Sequence, residues 1–153
     1  MKRHWEPPLH TRAQFDFIAD APLDVAWPLF GAEGERAWSA DWHPMFVWPA
    51  APADQQGMVF TVAHGDKTAV WVNTCLDRTT NQIQYVYFLP DALVTMISLA
   101  LRPTGQTTRV EVVYERTALT SAINDTVSRL AASDRVAGRD WSRQINRHLI
   151  LRS

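Results

Sequence analysis

The chain has 153 residues, of which 46% are hydrophobic and 20% are charged, and its formal net charge is −1. This length and composition are typical of one globular domain with a sizeable hydrophobic core. The near-neutral balance of scattered charges excludes the basic surface of a nucleic-acid-binding protein and the polybasic patch of a lipid-docking protein.

Cys75 is the only cysteine, so no intramolecular disulfide can form, which fits a reducing compartment. The first ten residues contain no apolar signal-peptide core, and no run approaches 18 apolar residues. We therefore expect a cytoplasmic protein without stable membrane insertion. Residues 1–11 are interpreted as an irregular lead-in, and residues 12–153 as a single domain.

The first elements follow in quick succession. Residues 12–20 alternate apolar and polar side chains, which predicts a β-strand. A short helix is expected over 21–30, with Asp20 as its N-cap and with Pro28 limiting or kinking it. Residues 32–38 are predicted to form a second short helix.

The segment 31–50 is unusual because it combines three tryptophans with glycine and proline. Trp38, Trp42 and Trp48 lie in a run that does not read as a regular core helix or strand. Such large rings either close one end of the core or line a place where a molecule binds.

From residue 58 onward the pattern is that of an antiparallel sheet. Residues 58–76 read as two strands joined by the two-residue turn Gly65-Asp66, which places Phe60 opposite Trp71. Both faces of this hairpin are partly apolar, so alternation alone leaves open which face points inward. Residues 81–89 form the next strand and present one face with aromatic and aliphatic side chains, namely Ile83, Tyr85 and Tyr87.

Residues 93–119 form the clearest hairpin of the chain. With residues 103–106 as the loop, Leu101 is expected opposite Thr108 and Ile97 opposite Val112. One face of this hairpin is apolar and the other polar, as in an antiparallel sheet with one buried side.

Residues 121–150 have a helical period. Apolar side chains recur every three or four residues from Ile123 to Leu149, which predicts one amphipathic helix over 121–150, roughly 45 Å long. Gly138 marks a place where this helix can bend. The fold class is therefore α+β: a curved antiparallel sheet of about six to seven strands wrapped around a long C-terminal helix, with two short helices after the first strand.

This order resembles the START-like, helix-grip superfamily (SRPBCC), which includes polyketide cyclase/dehydrase-like proteins. The residues that carry the resemblance are DAPLDVAWPLF at 20–30, GERAWSADWHP at 34–44, VWVNTCLD at 70–77, IQYVYFLP at 83–90 and TRVEVVYERTAL at 108–119. The resemblance implies a deep hydrophobic pocket between the sheet and the long helix. Because this fold hosts many functions, the resemblance leaves the activity open.

The predicted ligand-binding residues follow from the resemblance and fall into three groups. The mouth of the pocket would hold Trp38, Trp42 and His43. The sheet would supply Phe60, Trp71, Tyr85, Tyr87, Val112 and Tyr114. The helix would supply Val127, Leu130, Asp134 and Trp141.

Two of these residues are candidates for proton transfer. Asp134 interrupts the apolar stripe of the last helix; if it faced the cavity, desolvation would raise its pKa. The alternative is that Asp134 pairs with Arg135 or Arg139, or faces solvent. His43 follows Trp42 in the mouth loop and could act as a general base or merely order the loop. The histidines lack zinc-site spacing, so no metal is expected, and the sequence contains no GxGxxG or Walker motif, so no cofactor is expected.

Three functional hypotheses remain at this point. The first is a non-catalytic protein that binds a hydrophobic or amphipathic small molecule, lipid-like or polycyclic and aromatic, with no nucleic-acid partner. The second is a cyclase or dehydratase that uses the same pocket with a proton-transfer residue. The third is a protein-interaction module with a filled core. The sequence determines neither the ligand nor the oligomeric state.

Overall fold

A computed structural model of the chain describes residues 6–152. Its strands are β1 (His10–Ala19), β2 (Met45–Trp48), β3 (Val59–His64), β4 (Lys67–Asp77), β5 (Gln82–Leu89), β6 (Leu93–Thr104) and β7 (Thr107–Ala118). Its α-helices are α1 (Leu23–Ala26), α2 (Asn124–Arg135) and α3 (Gly138–Arg152), and 3-10 turns cover Trp27–Phe30, Gly34–Ala37 and Ser121–Ile123. Residues 1–5 of the predicted lead-in lie outside the described part of the chain, and β1 already begins at His10.

The strands form one antiparallel sheet in the order β1-β7-β6-β5-β4-β3-β2. The C-terminal helices pack on its buried face, so the predicted α+β helix-grip architecture is confirmed. Within residues 6–152, no helix is both long and apolar enough to cross a membrane.

Alternation along the strands decides which face of the sheet is buried. Phe15 and Phe17 on β1 and Val110 and Val112 on β7 point inward, and burying each such side chain contributes roughly 1.5–3 kcal/mol. The 58–76 hairpin has its predicted turn and pairing, and Phe60, with 0% of its surface exposed, lies on its buried face. The inward face of that hairpin, undecided from sequence, is therefore the one with the aromatic rings.

The predicted register of the 93–119 hairpin is wrong by two residues. Leu101 lies opposite Val110 and Ile97 opposite Tyr114, because the turn is the two-residue Gly105-Gln106 and the strands continue through Pro103. Gly105 has a φ of +65°, which glycine adopts at little cost. A shift of two preserves the side-chain period, so the predicted buried and exposed faces are still correct.

The predicted single C-terminal helix is divided in two. Helix α2 ends at Arg135, where the N–H groups of Val136 and Ala137 donate back to the carbonyls of Ser133 and Asp134 (both 3.2 Å) in a tightened last turn. Gly138 then begins α3.

Close packing of α3 on β1 explains the glycine. A Cβ at Gly138 would lie 3.0 Å from Phe15 Cδ2 and 3.3 Å from the Asp16 carbonyl oxygen. Farther along α3, the Asn146 amide donates to the Ile18 carbonyl (3.0 Å) and accepts from the Asp20 N–H (2.8 Å). Helix α3 is thereby fixed to the end of β1.

The start of α1 differs from the expectation. Pro22 is the N-cap and makes no side-chain cap bond, so the predicted role of Asp20 is wrong. The limit set by Pro28 is confirmed, because α1 has only four residues and passes directly into the 3-10 turn Trp27–Phe30.

Candidate functional site

A cavity of about 220 Å³ lies between the buried face of the sheet and helix α3, and the 3-10 segments cover one side of it. It is lined by Phe30, Glu35, Trp38, Trp42, Phe60, Trp71, Tyr85, Ile97, Leu99, Tyr114 and Trp141. Eight of these eleven residues are aromatic, so the surface offered to a ligand consists mostly of ring faces and edges.

The sheet side of the cavity follows from strand register. Phe60 on β3 lies opposite Trp71 on β4, and their ring centroids are 5.5 Å apart. Ile97 on β6 lies between its two cross-strand partners, Tyr85 on β5 and Tyr114 on β7. These inward positions place five side chains from five neighbouring strands around one space.

Two tryptophans from the 31–50 segment form the cover. Trp38 Nε1–H donates to the Leu29 carbonyl (2.8 Å), and Trp42 Nε1–H donates to the Ala32 carbonyl (2.7 Å). The Trp38 ring lies 5.3 Å from that of Trp141, and the Trp42 ring 5.2 Å from that of Trp71. Both N–H groups thus anchor the segment, and the rings face the cavity as apolar surface.

Glu35 is the acidic residue of the cavity. It lies in the 3-10 turn Gly34–Ala37, and the Trp38 N–H donates to its carbonyl (3.2 Å), so the two side chains lie one turn apart on the same side. Its carboxyl makes no hydrogen bond or ion pair with the described residues. The residue is partly buried, and the desolvation of its carboxyl raises the pKa of Glu35 from 4.5 to about 8.

The two tyrosines that line the cavity differ in their hydroxyl groups. Tyr85 donates its hydroxyl hydrogen to the Phe30 carbonyl (2.8 Å). The Tyr114 hydroxyl has no hydrogen-bond partner among residues 6–152. Burial is the main cause that raises the pKa of Tyr114, and the nearby charge of Glu35 raises it further, so this phenol stays protonated near neutral pH.

Asp134 is buried away from the cavity and is fully engaged. Arg116 on β7 contacts it through two hydrogen bonds, Nε to Oδ2 (2.7 Å) and Nη2 to Oδ1 (2.8 Å). The Nη1 group of Arg116 also donates to the Tyr87 hydroxyl (2.6 Å) and to Thr95 Oγ1 (3.1 Å). The prediction that Asp134 pairs with Arg135 or Arg139 is therefore wrong. Asp134 instead joins α2 to the sheet and does not line the cavity.

Five further predicted residues lie outside the cavity. His43 is exposed in the mouth loop. Val112 and Val127 are fully buried core residues, and Leu130 packs partly buried against the core. Tyr87 accepts a hydrogen bond from Arg116 and stacks on Trp71, at 4.5 Å between ring centroids. The other seven predicted ligand-binding residues line the cavity: Trp38, Trp42, Phe60, Trp71, Tyr85, Tyr114 and Trp141.

Sequence reasoning missed Phe30, Glu35, Ile97 and Leu99. The pattern contained a signal for Glu35, because it precedes Trp38 by three residues in a segment predicted to be helical. In the sheet, the buried Trp71 Nε1 and both polar side-chain atoms of Asn73 have no hydrogen-bond partner among the described residues. Residues 6–152 contain no group of three or more His, Cys, Asp or Glu side chains arranged to hold a metal ion.

No protein-family model and no curated protein matches this sequence. Solved structures are similar in three dimensions, including norcoclaurine synthase from Thalictrum flavum in complex with dopamine and hydroxybenzaldehyde (TM-score 0.68, 10% identity, 95% of this chain and 90% of that one). The chain has the helix-grip fold. Two further solved structures share this fold. The Mll3558 protein from Rhizobium loti has a TM-score of 0.63 and 14% identity, over 91% of this chain and 99% of that one. CalU16 from Micromonospora echinospora has a TM-score of 0.55 and 12% identity, over 95% of this chain and 85% of that one.

The sequence identities to these structures are low, so the likeness extends to the fold alone. That fold is consistent with the START-like resemblance of the sequence.

Proposed function

We propose that this protein binds a small, mainly apolar aromatic molecule in the cavity between the sheet and helix α3. The observation that carries the proposal is the aromatic lining, in which Trp38 and Trp42 cover a space walled by Phe60, Trp71 and Trp141. Ring faces and edges around a ligand offer both buried apolar surface and favourable ring–ring contacts.

The volume of the cavity narrows the ligand class. A cavity of about 150 Å³ holds benzene, so about 220 Å³ accommodates a molecule of one or two fused rings. This volume favours a compact aromatic molecule over a long acyl chain. Burial of apolar surface stabilises the complex by about 25 cal/mol per Å², and the entropy lost on binding offsets part of this gain. We therefore expect a Kd on the order of micromolar.

Two further points support binding over the filled-core interaction module. The cavity is a space that the core side chains leave open. The fold is also that of norcoclaurine synthase, whose structure was determined with dopamine and hydroxybenzaldehyde, both single-ring aromatic molecules.

The test uses 2-ethylnaphthalene, measured by quenching of tryptophan fluorescence and by calorimetry. Ile97 lines the cavity between Tyr85 and Tyr114, and Ile97→Phe places a ring in the cavity. The matched control is Met96→Phe, one residue earlier on the same strand and on the opposite, half-exposed face. We expect Ile97→Phe to abolish binding and Met96→Phe to leave it unchanged. Equal affinity in both variants would show that the probe binds elsewhere, and absence of binding to the unaltered protein would refute the proposal.

A second candidate function is proton transfer on a bound carbonyl compound, and Glu35 is the observation that favours it. A pKa of about 8 suits a group that gives and takes protons near neutral pH. The carboxylate would remove a proton from the carbon next to the carbonyl, leaving an enol or enolate, and a solvent proton would return to that carbon. The test is deuterium incorporation into the methyl group of 2-acetylnaphthalene in D2O. Exchange that Glu35→Gln abolishes would support an enzyme, and no exchange above the uncatalysed rate would exclude this activity for that ketone.

A further inference from the structure

We propose that Glu35 and Tyr114 form a hydrogen-bond-donating pair that selects a neutral aromatic ligand with an acceptor oxygen, such as an aryl ketone or aldehyde, over a cationic amine of the same shape. This inference rests on the proposed binding function and names the ligand class of the same cavity. It concerns the polar end of an otherwise apolar site.

The polar groups that line the cavity divide into engaged and free ones. The N–H groups of Trp38 and Trp42 and the hydroxyl of Tyr85 are donated to backbone carbonyls of residues 29–32. The Glu35 carboxyl and the Tyr114 hydroxyl have no such partner among the described residues, and the same is true of the fully buried Trp71 Nε1–H. Because the energy of a buried polar group depends on finding a partner, these groups define what the polar part of a ligand must offer.

The surroundings of Glu35 hold its carboxyl in the neutral, donating form. Tyr85 and Tyr114 face it from β5 and β7, and the tryptophans around it are uncharged. Arg36, on the same turn, is directed to the Glu33 carboxylate (2.7 Å) and the Pro44 carbonyl (2.6 Å).

Further charged groups lie near the two tyrosines. Arg116 contacts the Tyr114 ring at 4.9 Å, but the Asp134 carboxylate neutralises it. Asp54 lies near Tyr85 and accepts a hydrogen bond from the Glu33 N–H (3.2 Å). No cation among residues 6–152 is therefore placed to stabilise an ionised Glu35, and with a pKa of about 8 this carboxyl is mainly protonated at neutral pH.

A neutral carboxyl and a neutral phenol both donate a hydrogen, and a carbonyl oxygen has two lone pairs to receive them. An ammonium ligand would have to lose its hydration shell in an aromatic cavity and to force Glu35 to ionise there. The attraction between the two charges is offset by the desolvation of both. The ketone is therefore the better occupant.

The experiment compares three probes with one carbon skeleton: 2-acetylnaphthalene, 2-ethylnaphthalene and 1-(2-naphthyl)ethylamine. Affinities are measured at about pH 6 and about pH 9.5, on either side of the Glu35 pKa. In the unaltered protein at the lower pH, we expect the ketone to bind about tenfold tighter than the hydrocarbon, as one good buried hydrogen bond provides. This advantage should shrink as the pH rises through about 8, because the carboxylate no longer donates and repels the carbonyl oxygen.

Two variants assign the effect. Glu35→Gln keeps an N–H donor without a titrating group, so the ketone should retain its advantage at both pH values. Tyr114→Phe should lower the affinity for the ketone several-fold at both pH values. It should change the affinity for the hydrocarbon only slightly. Unchanged hydrocarbon binding in each variant shows that the cavity is intact.

If the amine bound more tightly than the other two probes at the lower pH, and if Glu35→Gln abolished that binding, this inference would be overturned. The proposed function would still stand. Equal affinity for ketone and hydrocarbon at the lower pH would overturn it as well. If none of the three probes bound, the proposed function itself would fail, and this inference with it.

Discussion

Arg116 on β7 and Asp134 on α2 form a buried ion pair joined by two parallel hydrogen bonds of 2.7 and 2.8 Å. The two side chains are 7% and 9% exposed. The Arg116 guanidinium also contacts the ring of Tyr114, whose hydroxyl faces the cavity. This pair therefore fixes the orientation of α2 and supports one wall of the candidate site.

Removal of one partner of this pair should be strongly destabilising. Asp134→Ala leaves the Arg116 charge buried without compensation, and we expect a loss of about 3–5 kcal/mol in the free energy of unfolding, measured with urea. The matched control is Asp140→Ala, which breaks the exposed pair with Arg143 (2.7 Å) on α3 and should change stability by less than about 1 kcal/mol. Similar losses in the two variants would mean that the buried pair is not structurally important.

The pKa of Glu35 predicts how stability depends on pH. Because this pKa rises from 4.5 in the unfolded chain to about 8 in the folded protein, the folded state holds more protons between these values. The contribution of this group to stability is complete below about pH 4.5, falls as the pH rises towards about 8, and is constant above that. One such group contributes at most about 1.4 kcal/mol per pH unit.

The measurement is urea unfolding from about pH 5 to about pH 9, a range that spans most of this window. We expect Glu35→Gln to be more stable than the unaltered protein at the upper end and to have a flatter profile. Glu33→Gln, in the surface pair with Arg36, is the control and should keep the slope. A slope that survives in Glu35→Gln would assign the pH dependence to another group.

Much of the fold could be predicted because it depends on periodicity. The Gly65-Asp66 turn and the Phe60–Trp71 pair came directly from alternation and turn chemistry. The register of the 93–119 hairpin is not predicted correctly because Pro103, two residues before Gly105, is typical of a loop. However, β6 extends past β5 at that point, and Pro103 has a strand neighbour on one side only, where a missing N–H is tolerated.

The candidate site was predicted only in part, because inward-facing residues divide between core and cavity according to three-dimensional distance. Val112 and Leu99 are cross-strand neighbours on the buried face, yet only Leu99 lines the cavity. The partner of Asp134 is 18 positions away in sequence and on another element, which helical spacing cannot reveal. Glu35 was overlooked because an acidic residue in a short turn usually faces solvent.

Gly34 controls the path of the segment that covers the cavity. A Cβ at this position would lie 1.7 Å from the Pro28 carbonyl oxygen, which belongs to the backbone and cannot rotate away. We expect Gly34→Ala to destabilise the protein by about 1–3 kcal/mol and to weaken 2-ethylnaphthalene binding, because Trp38 follows in the same segment. At Gly31 a Cβ would meet the side chain of Asp54, which can move, so Gly31→Ala should have the smaller effect in thermal unfolding. The reverse order would contradict this account of the cover.

Substitution of Trp38 tests whether the aromatic cover of the cavity stabilises the fold as well as binding the ligand. Trp38→Phe keeps an apolar ring over the cavity but leaves the buried Leu29 carbonyl without its donor, so we expect a loss of about 1–3 kcal/mol in the free energy of unfolding. Trp48→Phe, at a side chain that is 56% exposed on the edge strand β2, should change stability by less than about 0.5 kcal/mol. If both variants unfolded alike, the Trp38–Leu29 hydrogen bond would not be what anchors the segment. If instead Trp38→Phe is destabilised while it retains ligand affinity, the N–H anchors the fold and the ring face serves the ligand.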